Sequence, residues 1–338
     1  MKKVILSALA LAMGSLVMAQ NTSDVTQERT TDASVVTVNQ TGNGNNSVVE
    51  QIGAEESNEI ATSVNITQVG NGNISTVDQG DIFNNGGTGK GIVIDVNQNG
   101  RGNNSFVKQG GTRNSADVDQ IGDDNSSSID VQGGSSNLTK VEQNDDDNIS
   151  EVRQSWNSNE IYVTQSGDNA NNGANFSDVD QTSTNSFIDI DQVGRRNIAI
   201  TDQFGGGTSP LLSSRVIQTG NDNMSVISQT GSENSILVGQ RGNGNYAEST
   251  QDGTLNTMDI RQRDGNNNIS FTSQDLDTSN SSINIIQQNG NNNYSSANQM
   301  MSADVSIMVT QNGNGNSSTV NQLNAVAGSS VVVTQTGN

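Results

Sequence analysis

The chain has 338 residues, 36 acidic against 15 basic, and a formal net charge of −21; it contains 36 glycines, one proline, no cysteine and no histidine. Thiol nucleophiles, Ser-His-Asp triads, zinc fingers, His-ligated metals and disulfide frameworks are therefore excluded, and the acidic balance argues against binding nucleic acid through its phosphates. At 30% apolar and 3% aromatic, the composition argues against a conventional two-domain globular core and in bulk reads as a disordered chain, a reading that the order of the residues overturns.

In chain order, Lys2 and Lys3 precede the apolar run from Val4 to Met18, and Val17-Met18-Ala19 supplies small residues before Gln20. This predicts a secretory signal peptide over residues 1–19; the alternative is a buried N-terminal helix. No later stretch is long and apolar enough to span a bilayer. Residues 20–33 form a short N-terminal segment in which Asn21, Ser23, Val25 and Gln27 have the spacing of half a repeat unit.

From Ser34 onward one pattern fills the chain: Ser34, Gln40, Gly42, Gly44, Asn45 and Gln51, written S-x5-Q-x-G-x-G-N-x5-Q. Its Gln, Asn and Gln positions recur at Gln68, Asn73 and Gln79; Gln98, Asn103 and Gln109; Gln143, Asn148 and Gln154; Gln192, Asn197 and Gln203; Gln218, Asn223 and Gln229; Gln240, Asn245 and Gln251; and Gln311, Asn316 and Gln322. Twelve copies run from Ser34 to Gln322, and Ser329 to Gln335 makes a further half copy, so the repeat array spans 34–338. First glutamines lie 22 to 30 residues apart. Some copies slip: one residue too many lies between Asn125 and Gln132, the turn between Gln262 and Asn268 is longer, extra residues sit between Gln165 and Asn175, and the register at Gln287 and Gln288 is ambiguous. A stacked coil absorbs such slips at its corners.

Each copy holds two seven-residue arms. Ser34, Val36, Val38 and Gln40 share one parity in the first; Asn45, Ser47, Val49 and Gln51 share it in the second. Alternation of this kind, rich in Val, Ile and Thr, marks a strand with one buried face, and the Gly/Asn/Asp segment between the arms supplies the positive φ of a sharp turn. The predicted fold is all-β: a β-solenoid of strand–turn–strand units forming two stacked parallel sheets of cross-β type. Recurring amides then have a reason. A lone buried amide is costly, whereas one stacked on identical amides satisfies its donor and acceptor in a ladder. Phe106, Tyr162, Phe176, Phe187, Tyr246, Phe271 and Tyr294 all have outward parity, as a thin gap between sheets requires.

Ser-x5-Gln-x-Gly-x-Gly-Asn-x5-Gln resembles the curlin repeat of bacterial extracellular amyloid fibres. The resemblance implies a secreted structural subunit that polymerises head to tail with copies of itself into biofilm-matrix fibres. It also implies a nucleator subunit, a dedicated outer-membrane secretion channel and a chaperone as partners. By the same resemblance Ser34, Gln40, Asn45, Gln51 and their equivalents are the ladder and self-assembly positions, with Ser329 and Gln335 in the half copy. The array is longer than in the best-known members, and only residues 20–33 are available for a secretion-targeting segment. Asp123-Asp124 and Asp145-Asp146-Asp147 replace the second glycine of their turns; acidic turns in the family act as gatekeepers against aggregation, and plain turn chemistry explains them equally well.

No enzyme or cofactor is expected. Gly86-Gly87-Thr88-Gly89-Lys90 has the wrong spacing for a phosphate loop and Gly91 where Ser or Thr is needed. The Asp-rich turns suit at most weak Ca²⁺ binding. Glu50, Asp78, Asp95 and Asp119 are expected at differing outward positions, with Lys108, Lys140 and Arg153 interspersed. A monomeric β-solenoid adhesin is the alternative function, with outward Tyr, Phe and Asn as its contacts.

Overall fold

The computed structural model describes residues 20–28, 34–52, 62–80, 91–167, 173–205, 211–275 and 278–337. The signal peptide expected over residues 1–19 and the glycine-rich segment 86–90 lie outside the described residues. Those that are described form twenty-six strands, from β1 (Thr22–Glu28) to β26 (Ser330–Thr336), and no helix. Odd-numbered strands make one thirteen-stranded sheet and even-numbered strands a second. Every pairing is parallel and links an arm to the equivalent arm of the next copy: Val36 lies beside Val64, Val38 beside Ile66 and Gln40 beside Gln68. The molecule is a β-solenoid with one strand of each sheet per coil.

The half-unit of the N-terminal segment is the strand β1, which lies on β3 (Asn46–Ile52) with Val25 beside Val49 and Gln27 beside Gln51. β26 lies on β24 (Ser306–Asn312) in the same manner at the other end.

Period-two alternation decides which face is inside. Most even strands bury two aliphatic side chains, as Val64 and Ile66, Ile94 and Val96, Ile188 and Ile190, or Ile307 and Val309. Odd strands generally bury one, such as Val49, Val77 or Val107, after a small residue such as Ser47, Ser75 or Ser105. These side chains form one continuous core cluster along the solenoid. Each buried Val or Ile contributes about 1.5–3 kcal/mol of hydrophobic stabilisation, repeated in every coil. The rings sit outside and touch one another between coils: Tyr162 and Phe187 have centroids 5.8 Å apart, and Phe271 lies 5.6 Å from Tyr246 and 6.0 Å from Tyr294.

The corner after the first arm sets how closely coils approach. Gly70 and Gly100 have φ of 116° and 138°, which disfavours any residue with a side chain. A Cβ on Gly70 would run into the carbonyl oxygen of Gly100, and one on Gly100 into that of Gly122. Replacing Gly100 by Ala is therefore expected to destabilise the array by roughly 2–3 kcal/mol, read as an earlier denaturation midpoint. Replacing Gly72, whose φ is 70° but whose added Cβ meets nothing nearby, is expected to cost less than half as much.

Candidate functional site: buried amide ladders

Glutamines that close the first arm stand in one column: Gln40, Gln68, Gln98, Gln120, Gln143, Gln165, Gln192, Gln218, Gln240, Gln262, Gln287, Gln311 and Gln335. Each Nε2 donates to the Oε1 of the glutamine one coil further on, through twelve hydrogen bonds of 2.8–2.9 Å. At Gln287 and Gln288 the parity of Ile283 and Ile285 prevails: Gln287 is buried in the column and Gln288 faces outward. A primary amide has two N–H donors, and the second crosses to the other sheet. Gln98 Nε2 donates to Ile74 O at 2.9 Å, Gln192 to Phe176 O at 3.0 Å and Gln218 to Ile198 O at 2.9 Å. The column thus ties successive coils together and also staples one sheet to the other.

A second column stands at the start of the odd arms: Asn45, Asn73, Asn103, Asn125, Asn148, Asn175, Asn197, Asn223, Asn245, Asn268, Asn293 and Asn316, preceded by Asn21. Each backbone N–H donates to the Oδ1 of the asparagine one coil earlier at 2.9–3.4 Å. Several Nδ2 groups reach forward to the next corner, as Asn45 to Gly70 O at 2.9 Å and Asn197 to Gly220 O at 2.8 Å. The five extra residues before Asn175 and the one before Asn268 leave both in the column.

The column that begins at Ser34 is not one of serines. Ser34 accepts from Thr62 Oγ1 at 2.9 Å, and further along the place is held by Ile92, Asn114, Asn137, Asn159, Ser186, Leu212, Asn234, Asn256, Ser281 and Val305. Asn137 N donates to Asn114 Oδ1, Asn159 N to Asn137 Oδ1 and Asn256 N to Asn234 Oδ1, at 2.9–3.0 Å. These are the odd-sheet contacts repeated on the even sheet. The S-x5-Q pattern misses them, although an asparagine six residues before the first glutamine in five copies is their signal. Ser329, in the half copy, turns its hydroxyl onto Val326 O instead.

Glutamines closing the second arm form a column in two pieces. Gln27, Gln51 and Gln79 are linked at 2.6 and 2.8 Å; Gln154, Gln181, Gln203, Gln229, Gln251, Gln274, Gln299 and Gln322 are linked at 2.8–3.0 Å. Between the pieces lie Gln109 and Val131. The extra residue between Asn125 and Gln132 is not taken up within the arm: strand alternation carries Ser127, Ile129 and Val131 inward, and Gln132 is turned out to solvent after them.

A model of the curlin-associated repeat matches residues 94–120, 111–144 and 231–263. The chain carries curlin repeats. No curated protein matches it at a significant level. Curlin repeats are structural rather than catalytic units, and among the described residues no three acidic side chains come together as a metal site.

Where a curlin turn carries Asp, the carboxylate does the work of an amide oxygen. Asn43 N donates to Asn71 Oδ1 at 3.0 Å; in the same way Arg101 N donates to Asp123 Oδ1 and Asp123 N to Asp146 Oδ1, both at 2.8 Å. Asp124 and Asp147 take the positive-φ place, at 58° and 61°. Turn chemistry therefore accounts for the acidic corners.

Outward charges depart from the expected spread. Glu50 lies directly beside Asp78, Asp95 beside Asp117, Asp119 beside Glu142 and Asp180 beside Asp202, because seven-residue arms in register keep equivalent positions in one line. Asp117 is held above the usual aspartate value by burial, with Asp95 and Asp119 adding and Lys140 opposing. Asp119 is raised by burial and by Glu142, and Asp202 by burial and by Asp180 and Asp178. Asp123 and Asp222 are lowered by their hydrogen bonds to Arg101 and Arg196.

Two predictions follow from the columns and the charges. Gln165→Val removes a ladder member with both neighbours intact and is expected to cost about 2–4 kcal/mol, since buried donors and acceptors lose their partners; Gln109→Val, at a residue whose amide has no hydrogen-bond partner, is expected to be neutral or slightly stabilising in the same denaturation assay. For pH, a carboxyl with a raised folded value penalises the fold while ionised, and the penalty disappears as pH falls through that value. The Asp123 and Asp222 contributions run oppositely and are lost as pH falls through their lowered values. The midpoint is expected to rise as pH falls from 7 toward the ordinary aspartate range and to fall again once pH drops below that range, as a urea titration at each pH would show.

Proposed function

We propose that the chain is a curli-type amyloid subunit: a secreted structural protein that adds copies of itself head to tail into extracellular fibres. The observation that carries this reading is the polarity of the buried columns at the two open edges. The first-arm ladder starts on an acceptor, Gln40 Oε1, and finishes on a donor, Gln335 Nε2. The asparagine column runs the other way, from the Asn21 end to Asn316, whose Oδ1 matches the oxygens that receive a backbone N–H in every earlier coil. A second copy set head to tail meets donor with acceptor in both columns, whereas head to head it meets like with like.

Side chains at the edges match as well. β2 (Val35–Thr41) and β26 share inward Val-x-Val-x-Gln, as Val36, Val38 and Gln40 against Val331, Val333 and Gln335, each followed by an outward Thr, Thr41 and Thr336. These four valines are only partly buried, while their interior equivalents are fully so. β2, β25 (Ser317–Leu323) and β26 carry no charge, so stacking brings no like charges together. Among the described residues these edge strands are paired on one side only, and an uncapped edge recruits further strands. Export behind a cleaved signal peptide, a nucleator, an outer-membrane channel and a chaperone complete the proposal by likeness to the repeat's family.

The purified chain lacking residues 1–19 is expected to form fibres after a lag that preformed seeds abolish, with a reflection near 4.8 Å along the fibre. Val36→Lys and Val333→Lys, which place a charge at the edge, should each slow seeded growth at least tenfold while leaving the β signal of the monomer. Folded monomers that never elongate under seeding would overturn the fibre reading and favour the adhesin.

A further inference from the structure

The break in the second-arm glutamine column is local and one-sided. Gln79 Nε2 and both amide atoms of Gln109 are buried without a hydrogen-bond partner, and Val131 occupies the next place with no polar group to offer. In the same coils the facing column is unbroken, with Gln68, Gln98, Gln120 and Gln143 joined at 2.8 Å, and the asparagine column is continuous from Asn45 to Asn148. Backbone pairing between β5 (Ile74–Gln79) and β7 (Asn104–Gln109) also ends at Asp78 beside Lys108, one residue short of the glutamines. At the next place the column is interrupted by the single extra residue in β9 (Ser126–Gln132). Gln132 is displaced to the surface, where it donates to Asp130 Oδ2 at 2.8 Å, and the chain turns through Gly133 and Gly134, both at positive φ.

We propose that this interruption divides the solenoid into two cooperative units, the coils of β1 to β7 before it and the coils from residue 138 after it, so that the N-terminal coils open together while the longer array stays folded. In a stacked repeat, stability is a sum of coil and nearest-neighbour terms, and a boundary forms where the interface between neighbours is weakest. The interfaces from Gln79 to Val131 are weakest on this count. Each lacks the side-chain bond that the others have, and each holds unpaired buried amide atoms that lose nothing when the coils part. The inference concerns the monomeric array and stands apart from the fibre reading.

Native-state hydrogen exchange followed by mass spectrometry of peptides from the whole chain tests it. Peptides within 22–109 should exchange through one shared opening, at least tenfold faster than those within 138–275, with the step at β9. The C-terminal coils, which contain no interruption, should show gradual fraying without a step. Val131→Gln supplies the missing amide and should slow exchange of the N-terminal unit about tenfold; deletion of Val131, which brings Gln132 into the ladder place, should do the same should the substitution disturb folding. Gln181→Val should create a new step at its own position. Uniform exchange from 22 to 275, or a step at β9 that survives both the substitution and the deletion, would overturn the proposal.

Discussion

Everything in this fold depends on one constraint: burying a primary amide in a dry space is costly unless its donors and acceptor are met. No single coil meets that condition. Gln192 needs an Oε1 from Gln218, a donor from Gln165 and the backbone oxygen of Phe176 across the gap, so it is satisfied only by its equivalents in adjacent coils. Identity of sequence from copy to copy thereby becomes a structural requirement. The aliphatic columns supply the hydrophobic burial, but they would tolerate slippage along the axis; the amides fix register, because a one-residue slip would turn every one of them to the wrong face.

The corners obey the same constraint at closer range. Glycine is favoured where the backbone of one coil lies against the carbonyl of the next, although Asp145 holds that place at a φ of 72°, and an Asn or Asp oxygen serves where a turn N–H would otherwise lack an acceptor. Asp123 and Asp146 show that the two acceptors are interchangeable at the surface, at the cost of bringing charge into line. Such charge is tolerated because the outward faces are only partly buried; among the described residues no acid takes a place in the buried columns.

Parity and period made the two sheets, the inward Val and Ile and the outward rings readable from sequence, since a strand has only two faces and a ring cannot enter the thin gap. The columns of Gln40, Asn45 and Gln51 could be read for a related reason, as a recurring amide on the buried face has few uses. Other features were hidden. The asparagines at 114, 137 and 159 share their place with Thr62, Ile92 and Leu212, which blurs the motif. Val131 takes the place of Gln132 because alternation along β9 outweighs a side-chain hydrogen bond, a contest between two rules that spacing alone does not decide. The bonds from Gln98 to Ile74 O and from Gln218 to Ile198 O need the offset between the sheets, which no single arm encodes. The alignment of Glu50 with Asp78 follows from counting five residues past each asparagine, but its energetic consequence requires the register of the coils.

Side-chain amide correlation by nuclear magnetic resonance on the folded, isotope-labelled chain tests the central claim most directly. Transfer from the Nε2 of one glutamine to the carbonyl carbon of the glutamine one coil further on, through the intervening hydrogen bond, should appear for Gln165–Gln192 and Gln192–Gln218 and be absent for Gln79–Gln109. Glutamine side chains that exchange freely with water and give no such transfer, in a chain otherwise rich in parallel strand, would contradict the account.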